Sequence, residues 1–145
     1  MSNDYVSQEE GPYQKNVWIQ DENGWWCKNP DGTWLSDGWY KIPYNGEEKW
    51  YYFDEQGYMT TGWLYYNNQW YYLNPNADGS QGAMLTGWHY INDSWYYFSE
   101  AEGNTQGMMM AGTWNFLPYN GTIEWYHFNE KGFMETGWFS EEGKR

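Results

Sequence analysis

One phrase recurs along this chain every 24 to 26 residues: a Gly-Trp, a polar turn, a Trp-Tyr-Tyr triplet, a second turn, and a Gly-x-Met leading into the next Gly-Trp. Self-similarity at so short a period means an array of small units, each unable to bury its apolar face alone. The frames start at Gly38-Trp39, Gly62-Trp63 and Gly87-Trp88, with triplets Trp50-Tyr51-Tyr52, Trp70-Tyr71-Tyr72 and Trp95-Tyr96-Tyr97. They close with Gly57-Tyr58-Met59, Gly82-Ala83-Met84 and Gly107-Met108-Met109. A fourth frame is worn. Its Gly112-Thr113-Trp114 carries an inserted Thr, which is expected to shift Trp114 by one residue, and its triplet reads Trp125-Tyr126-His127 before Gly132-Phe133-Met134. A degenerate unit, Gly24-Trp25 with Trp34, opens the array, and a truncated one starts at Gly137-Trp138. The expected organisation is a polar leader or linker over 1–16 and an array over 17–145. The array divides into a degenerate unit 17–37, repeats 38–61, 62–86, 87–111 and 112–136, and a truncated unit 137–145.

The core of such an array has to be aromatic, since 13 Trp, 16 Tyr and 6 Phe stand against 11 Leu, Ile and Val. Few aliphatics with a net charge of -13 would suggest disorder. Stacked rings change that balance, because each Trp or Tyr buries roughly 150 to 250 Å². Between Trp50 and Glu130 there is no Lys or Arg, while eight acids fall there. Nucleic acid needs basic residues to displace counterions from phosphates, so it is excluded as a partner. An acidic field favours cationic ligands instead. Cys27 is alone, so no internal disulfide and no thiolate metal cluster can form. No apolar run approaches 18 residues, so no membrane insertion is expected. The first residues lack a secretory signal pattern.

Each frame holds two short runs rich in Trp and Tyr, separated by turn residues such as Pro43-Tyr44-Asn45-Gly46, Asn67-Asn68, Asn92-Asp93 and Asn120-Gly121. That is the mark of a β-hairpin, and no segment shows the 3.6-residue apolar period of a helix. The expected fold is therefore all-β, a solenoid of stacked β-hairpins. Frames one and four put the longer connection between Trp and triplet, and frames two and three put it after the triplet. Alternation along a strand places Trp50 and Tyr52 on one face and Tyr51 on the other. The Gly before each Trp is expected at a corner with positive φ or a close backbone approach.

Two Trp from one hairpin and an aromatic from the next would build a box open to solvent. Such a box suits a quaternary ammonium, whose diffuse charge is attracted by ring faces at roughly 0.5 to 2 kcal/mol each and which needs no hydrogen-bond partner. The Met of each Gly-x-Met would close it with a polarisable side chain. The plainer alternative is that all the rings are core. Against it, the two Trp columns of frames one to three never use Leu, Ile or Phe.

The phrase resembles the choline-binding, or cell-wall-binding, repeat of autolysins, phage lysins and surface proteins that attach to choline-bearing teichoic acids of Gram-positive bacteria. The resemblance runs over roughly residues 24–139 and includes the opening Gly24-Trp25-Trp26-Cys27-Lys28-Asn29-Pro30-Asp31-Gly32. It implies a β-hairpin solenoid with sites between successive hairpins, and an extracellular, cell-wall-associated module. Carried over, it implies a first site of Trp39, Trp50 and Tyr72 with Met84, and a second of Trp63, Trp70 and Tyr97 with Met109. A third would comprise Trp88, Trp95 and His127. The frames are longer than the family's roughly 20 residues, and His127 stands where Tyr is expected. Similar repeats in glucosyltransferase glucan-binding domains and clostridial toxins take sugars, so a glucan or cell-surface glycan is the alternative ligand. No cofactor is implied, and a homodimer through the terminal hairpin stands as a further candidate assembly.

An enzyme is not expected. Glycoside hydrolysis needs two carboxylates at a set separation, yet Asp54, Glu55 and Glu100 read as solvated turn residues. There is no Gly-x-Ser-x-Gly, and His89 and His127 are too few and too separated for a His-rich metal site. A purely structural spacer would not need both Trp columns.

Overall fold

The computed structural model describes residues 16–44 and 46–136. It contains eleven strands and, among the described residues, no helix. They are β1 (Val17–Asp21), β2 (Gly24–Lys28), β3 (Gly38–Tyr44), β4 (Glu47–Phe53), β5 (Gly62–Tyr66), β6 (Gln69–Leu73), β7 (Gly87–Ile91), β8 (Ser94–Phe98), β9 (Thr113–Tyr119), β10 (Thr122–Phe128) and β11 (Met134–Glu135). The first ten pair two by two into hairpins, and β11 adds to the edge of β10. The chain divides into two compact units. Their described parts are residues 16–66 with Tyr72–Leu85, and Asn67–Tyr71 with residues 86–136.

Local chemistry sets the hairpin turns. Asn92 and Asp93 both have positive φ, 49° and 71°, as do Asn120 at 53° and Gly121 at 82°. Paired left-handed residues make the turn whose twist matches a two-stranded ribbon, and Asn, Asp and Gly tolerate that conformation best. The second turn is organised by the residue after each triplet-plus-one. Asp54 Oδ1 accepts the amides of Gln56 and Tyr58, each at 2.9 Å, and Asn129 Oδ1 accepts those of Lys131 and Phe133 at 2.9 and 3.0 Å. Asn74 does the same work in a longer loop by donating to Ser80 Oγ at 2.8 Å and Asp78 Oδ1 at 3.0 Å. Asp54 is thus a turn-building residue. Glu100 is more than a solvated acid, because Tyr97 donates to its carboxylate at 3.4 Å and a Cβ on Gly87 would lie 2.9 Å from Glu100 Oε2.

Register assigns the faces. Trp39 stands opposite Tyr52, Trp88 opposite Tyr97 and Trp114 opposite His127. On the other face lie the middle triplet residue and the residue after the triplet. Tyr51 and Phe53, Tyr71 and Leu73, and Tyr96 and Phe98 are all buried. The period-two alternation expected for Trp50, Tyr51 and Tyr52 therefore holds, and the column Phe53, Leu73, Phe98 and Phe128 is the most deeply buried part of the frame. In the first unit Phe53 joins Trp18, Cys27, Ile42 and Met59 in one cluster, and in the second Phe128 joins Tyr97 and Leu117.

Neighbouring hairpins are tied by the backbone. The amide of Met59 donates to the carbonyl of Trp25 at 2.7 Å, Met84 to Trp50 at 2.8 Å and Met109 to Trp70 at 3.0 Å. These three Gly-x-Met segments thus return to the triplet Trp of the preceding frame. Glycine is required there for space. A Cβ on Gly82 would run into the Met59 side chain, and one on Gly132 would run into Met109.

Two readings of the sequence are corrected by this geometry. Gly24-Trp25 lies on the second strand of its hairpin, and the place of the Gly-Trp is taken by Val17-Trp18, with Trp18 opposite Cys27. Thr113 causes no shift, because Thr113 pairs with Phe128 just as Gly38 pairs with Phe53. The left-handed residue is then Asp37 (φ 56°) or Gly112 (φ 68°), two places before the Trp, whereas Gly62 (φ 79°) and Gly87 (φ 83°) directly precede theirs. The unit starting at Gly137-Trp138 and nearly all of the leader lie outside the described residues.

Candidate aromatic cage

The second unit contains a pocket of about 200 Å³ lined by Trp88, Trp95, Tyr119, Tyr126 and Met134. Trp88 and Trp95 come from the two strands of the β7–β8 hairpin, their rings 6.4 Å apart at 80°. The following hairpin supplies the other walls. Tyr126 stands 4.8 Å from Trp88 at 70°, and Tyr119, at the end of β9, stands 6.1 Å away at 75°. The Trp88 indole is fixed by donating Nε1–H to the carbonyl of Pro118 at 2.8 Å. Its flank packs on Phe128 at 5.8 Å. Trp95 remains 38% exposed and rests on Tyr90 at 5.2 Å, so its ring is held yet open to solvent.

No carboxylate, amide or cation lines this pocket, which matches a ligand that is cationic and has no N–H to donate. Negative charge stands just behind the wall. The Tyr126 phenol is pushed up from its ordinary value first by burial, then by Glu124 and Tyr119.

The cage departs from the expected third site at one wall. Residues 125 and 127 share a strand face and residue 126 takes the opposite one, so the triplet residue reaching back to the preceding hairpin is Tyr126. His127 instead faces Trp114, 4.9 Å away, and its Nδ1 meets Glu135 Oε1 at 2.7 Å. Tyr119, Tyr126 and Met134 were not among the residues selected from sequence. Met134 had a signal, since it occupies the same place in its frame as Met84 and Met109.

Comparison with known proteins identifies the repeat. A family model described as a choline-binding repeat matches residues 37–80, and one for a cell wall binding repeat matches residues 86–103. Choline binding protein F from Streptococcus pneumoniae, solved with a peptidoglycan analogue, is 38% identical with a TM-score of 0.66, over 87% of this chain and 36% of that one. CbpJ from Streptococcus pneumoniae TIGR4 is 28% identical with a TM-score of 0.66, over 99% of this chain and 48% of that one. The pneumococcal cell wall endolysin of phage Cp-1, solved with choline, is 29% identical with a TM-score of 0.54, over 91% and 40%. The chain thus spans less than half the length of these relatives. No match was found among curated protein sequences.

The chain belongs to the choline-binding repeat family. Its fold class is that family's β-hairpin solenoid, and proteins built on choline-binding repeats are associated with the cell surface or wall. Its choline-binding repeats are not uniform. In the first unit Trp39 meets Tyr52 at 5.4 Å and Tyr66 at 6.1 Å, and the two phenols lie 5.6 Å apart. Burial pushes the Tyr52 phenol up first, and Asp37, Tyr66, Glu55 and Asp54 add to it, so this choline-binding repeat is also set in negative potential. Trp50 has an internal cation, Lys41 Nζ, 5.8 Å over its ring, where the later repeats place Tyr90 or Phe116 beside the triplet Trp. Tyr72, expected as the third wall for Trp39 and Trp50, stands 4.9 Å from Trp63 of its own hairpin. Tyr97, expected as the wall for Trp63 and Trp70, is buried 5.1 Å from Trp88. Trp70 is 41% exposed, Met84 is anchored by its amide to the Trp50 strand, and Met109 lies across Gly132.

Proposed function

We propose that the chain is a non-catalytic attachment module, taking choline, or choline carried on a cell-wall teichoic acid, into cages between successive hairpins. The observation that carries this is the pocket of Trp88, Trp95, Tyr119, Tyr126 and Met134, with four aromatic walls, a thioether and no carboxylate, amide or cation in its lining. A trimethylammonium head fits such walls, and each ring face contributes about 0.5 to 2 kcal/mol depending on desolvation. Weak single sites become firm attachment when several engage one polymer, because the first contact raises the effective concentration for the rest. The place of action is the outer face of the cell wall. Any catalytic activity of a longer protein would reside outside these repeats.

The relatives solved with choline and with a peptidoglycan analogue support the ligand class. The test is a titration of intrinsic Trp fluorescence and melting temperature with choline, with its uncharged carbon isostere 3,3-dimethylbutan-1-ol, and with dextran. Choline is expected to shift both signals at millimolar concentrations and the isostere to do so far less. A response to dextran with none to choline would hand the site to the glucan alternative.

A further inference from the structure

The opening hairpin carries a second aromatic cleft of about 190 Å³, lined by Asp21, Trp26, Trp34, Gln56 and Tyr58. Its position in the frame differs from that of the cage. Trp26 occupies the middle place of its triplet, the place of buried Tyr51 and Tyr96, yet Trp26 is only half-buried. Trp34 bridges Lys28 as Met59 bridges Phe53, so a Trp stands where later frames have Met. Their rings meet edge to face at 6.1 Å and 82°, and Trp34 lies across Gly57, where a Cβ would collide with its indole. The core-side column of the array thus opens to solvent at its first hairpin, with two crossed indoles as walls.

The rim is polar, unlike that of the cage. Asp21 Oδ2 accepts the Tyr58 hydroxyl at 2.9 Å, and Oδ1 accepts the Asn23 amide at 2.8 Å. Those two bonds hold the carboxylate at the mouth of the cleft and leave it acceptor capacity on both oxygens. The Gln56 side chain stands at the same rim. Walls at nearly a right angle offer no parallel pair of platforms for the two faces of a sugar ring, but they fit a compact alkyl stem. A carboxylate beside them selects a positive head that can donate N–H bonds, and charge-assisted bonds of that kind are stronger than neutral ones.

We propose that this cleft binds a protonated primary amine on a short alkyl stem, with the stem between Trp26 and Trp34 and the ammonium donating to Asp21. A quaternary ammonium presents no N–H, so the cage and the cleft sort cations by head-group: methylated into the cage, protonated into the cleft. The site is independent of the choline reading.

The experiment follows the indole N–H signals of the ¹⁵N-labelled full chain by NMR during titration with n-butylammonium chloride, choline chloride and D-glucose. The expected result is saturable movement of the Trp26 and Trp34 signals with n-butylammonium, at several-fold lower concentration than with choline and with little effect of glucose. Asp21→Asn keeps an oxygen to accept the Asn23 amide and turns an NH2 that can donate to the Tyr58 oxygen, while removing the charge, and should weaken the amine about two- to five-fold, as befits an exposed ion pair. Equal response to choline and n-butylammonium, a response to glucose with none to the amine, or an unchanged affinity in Asp21→Asn would each overturn the proposal. The ranking of the three probes on the unmodified chain stands as the test if the variant fails to fold. The Trp88 and Trp95 signals report on the cage in the same spectra, so failure of one reading is distinguishable from failure of the other.

Discussion

Among single residues, Trp95 is the one whose removal separates cage from core. It is a wall of the pocket and still 38% exposed, so truncation deletes a ring face without opening a buried cavity. Trp95→Ala should weaken choline binding at the Trp88 cage by about 1 to 2 kcal/mol, roughly 5- to 30-fold, with little loss of melting temperature, as read by calorimetry. His127→Tyr gives the opposite control. Because His127 faces Trp114 and Glu135, the substitution should leave the affinity of that cage unchanged. A change above two-fold would put His127 back in the cage wall. Cys27 supplies a pH signal of the core. Burial pushes its thiol up to about 12, with Asn16 pulling slightly the other way. An acid whose folded value is raised gives stability that is complete below its unfolded value, near 8.5, and declines as pH climbs toward 12. Folded protein at pH 8 should therefore leave a disulfide reagent such as dithiobis(nitrobenzoate) unreacted, and denaturant should release one equivalent.

At the level of the element, the hairpin is what the sequence displayed most openly. Asn-Asn, Asn-Asp and Asn-Gly pairs between Trp-rich runs admit little besides a tight turn, and alternation then separates Tyr51 from Trp50 and Tyr52. Which of those faces meets the preceding hairpin is a long-range matter. A one-residue difference exchanges the faces, and the triplet itself holds an aromatic on both, so composition could not distinguish Tyr126 from His127 as the returning wall. The opening hairpin was misread for a related reason. Its Gly-Trp appears as Val17-Trp18, and the visible Gly24-Trp25 opens the second strand. The Gly-x-Met joint offers a direct test. Gly82 has φ 90°, and a Cβ there would overlap the Met59 side chain, so Gly82→Ala combines backbone strain with a steric clash. The expected loss is about 2 to 4 kcal/mol by urea unfolding. Adding Met59→Ala should not restore full stability, since the clash is relieved while the positive φ and a new cavity remain.

For the whole molecule, each unit carries its own cluster of buried rings, one around Trp18, Tyr51 and Phe53 and one around Tyr97, Leu117 and Phe128. Stability made mostly of neighbour contacts is lost in steps rather than at once. Removing residues 112–145 deletes β9 to β11, and with them Tyr119, Tyr126 and Met134. The shortened chain should keep a β-type circular dichroism spectrum at a lower melting temperature, and its Trp88 and Trp95 should no longer respond to choline. A wholly unfolded product would mean that the array is one cooperative block.

The joint between hairpins has a mechanical side. Met84 fastens its frame to the carbonyl of Trp50, and Met109 fastens to that of Trp70, so the triplet Trp, whose ring the proposed function offers to a ligand, also carries the knot that strings one hairpin to the next. A guest held by such a ring immobilises the strand to which the knot is tied, and pulling the hairpins apart must then tear both. If the proposed function holds, a chain of links that stiffen under their guests is weakest when its rings are empty and toughest once they are filled.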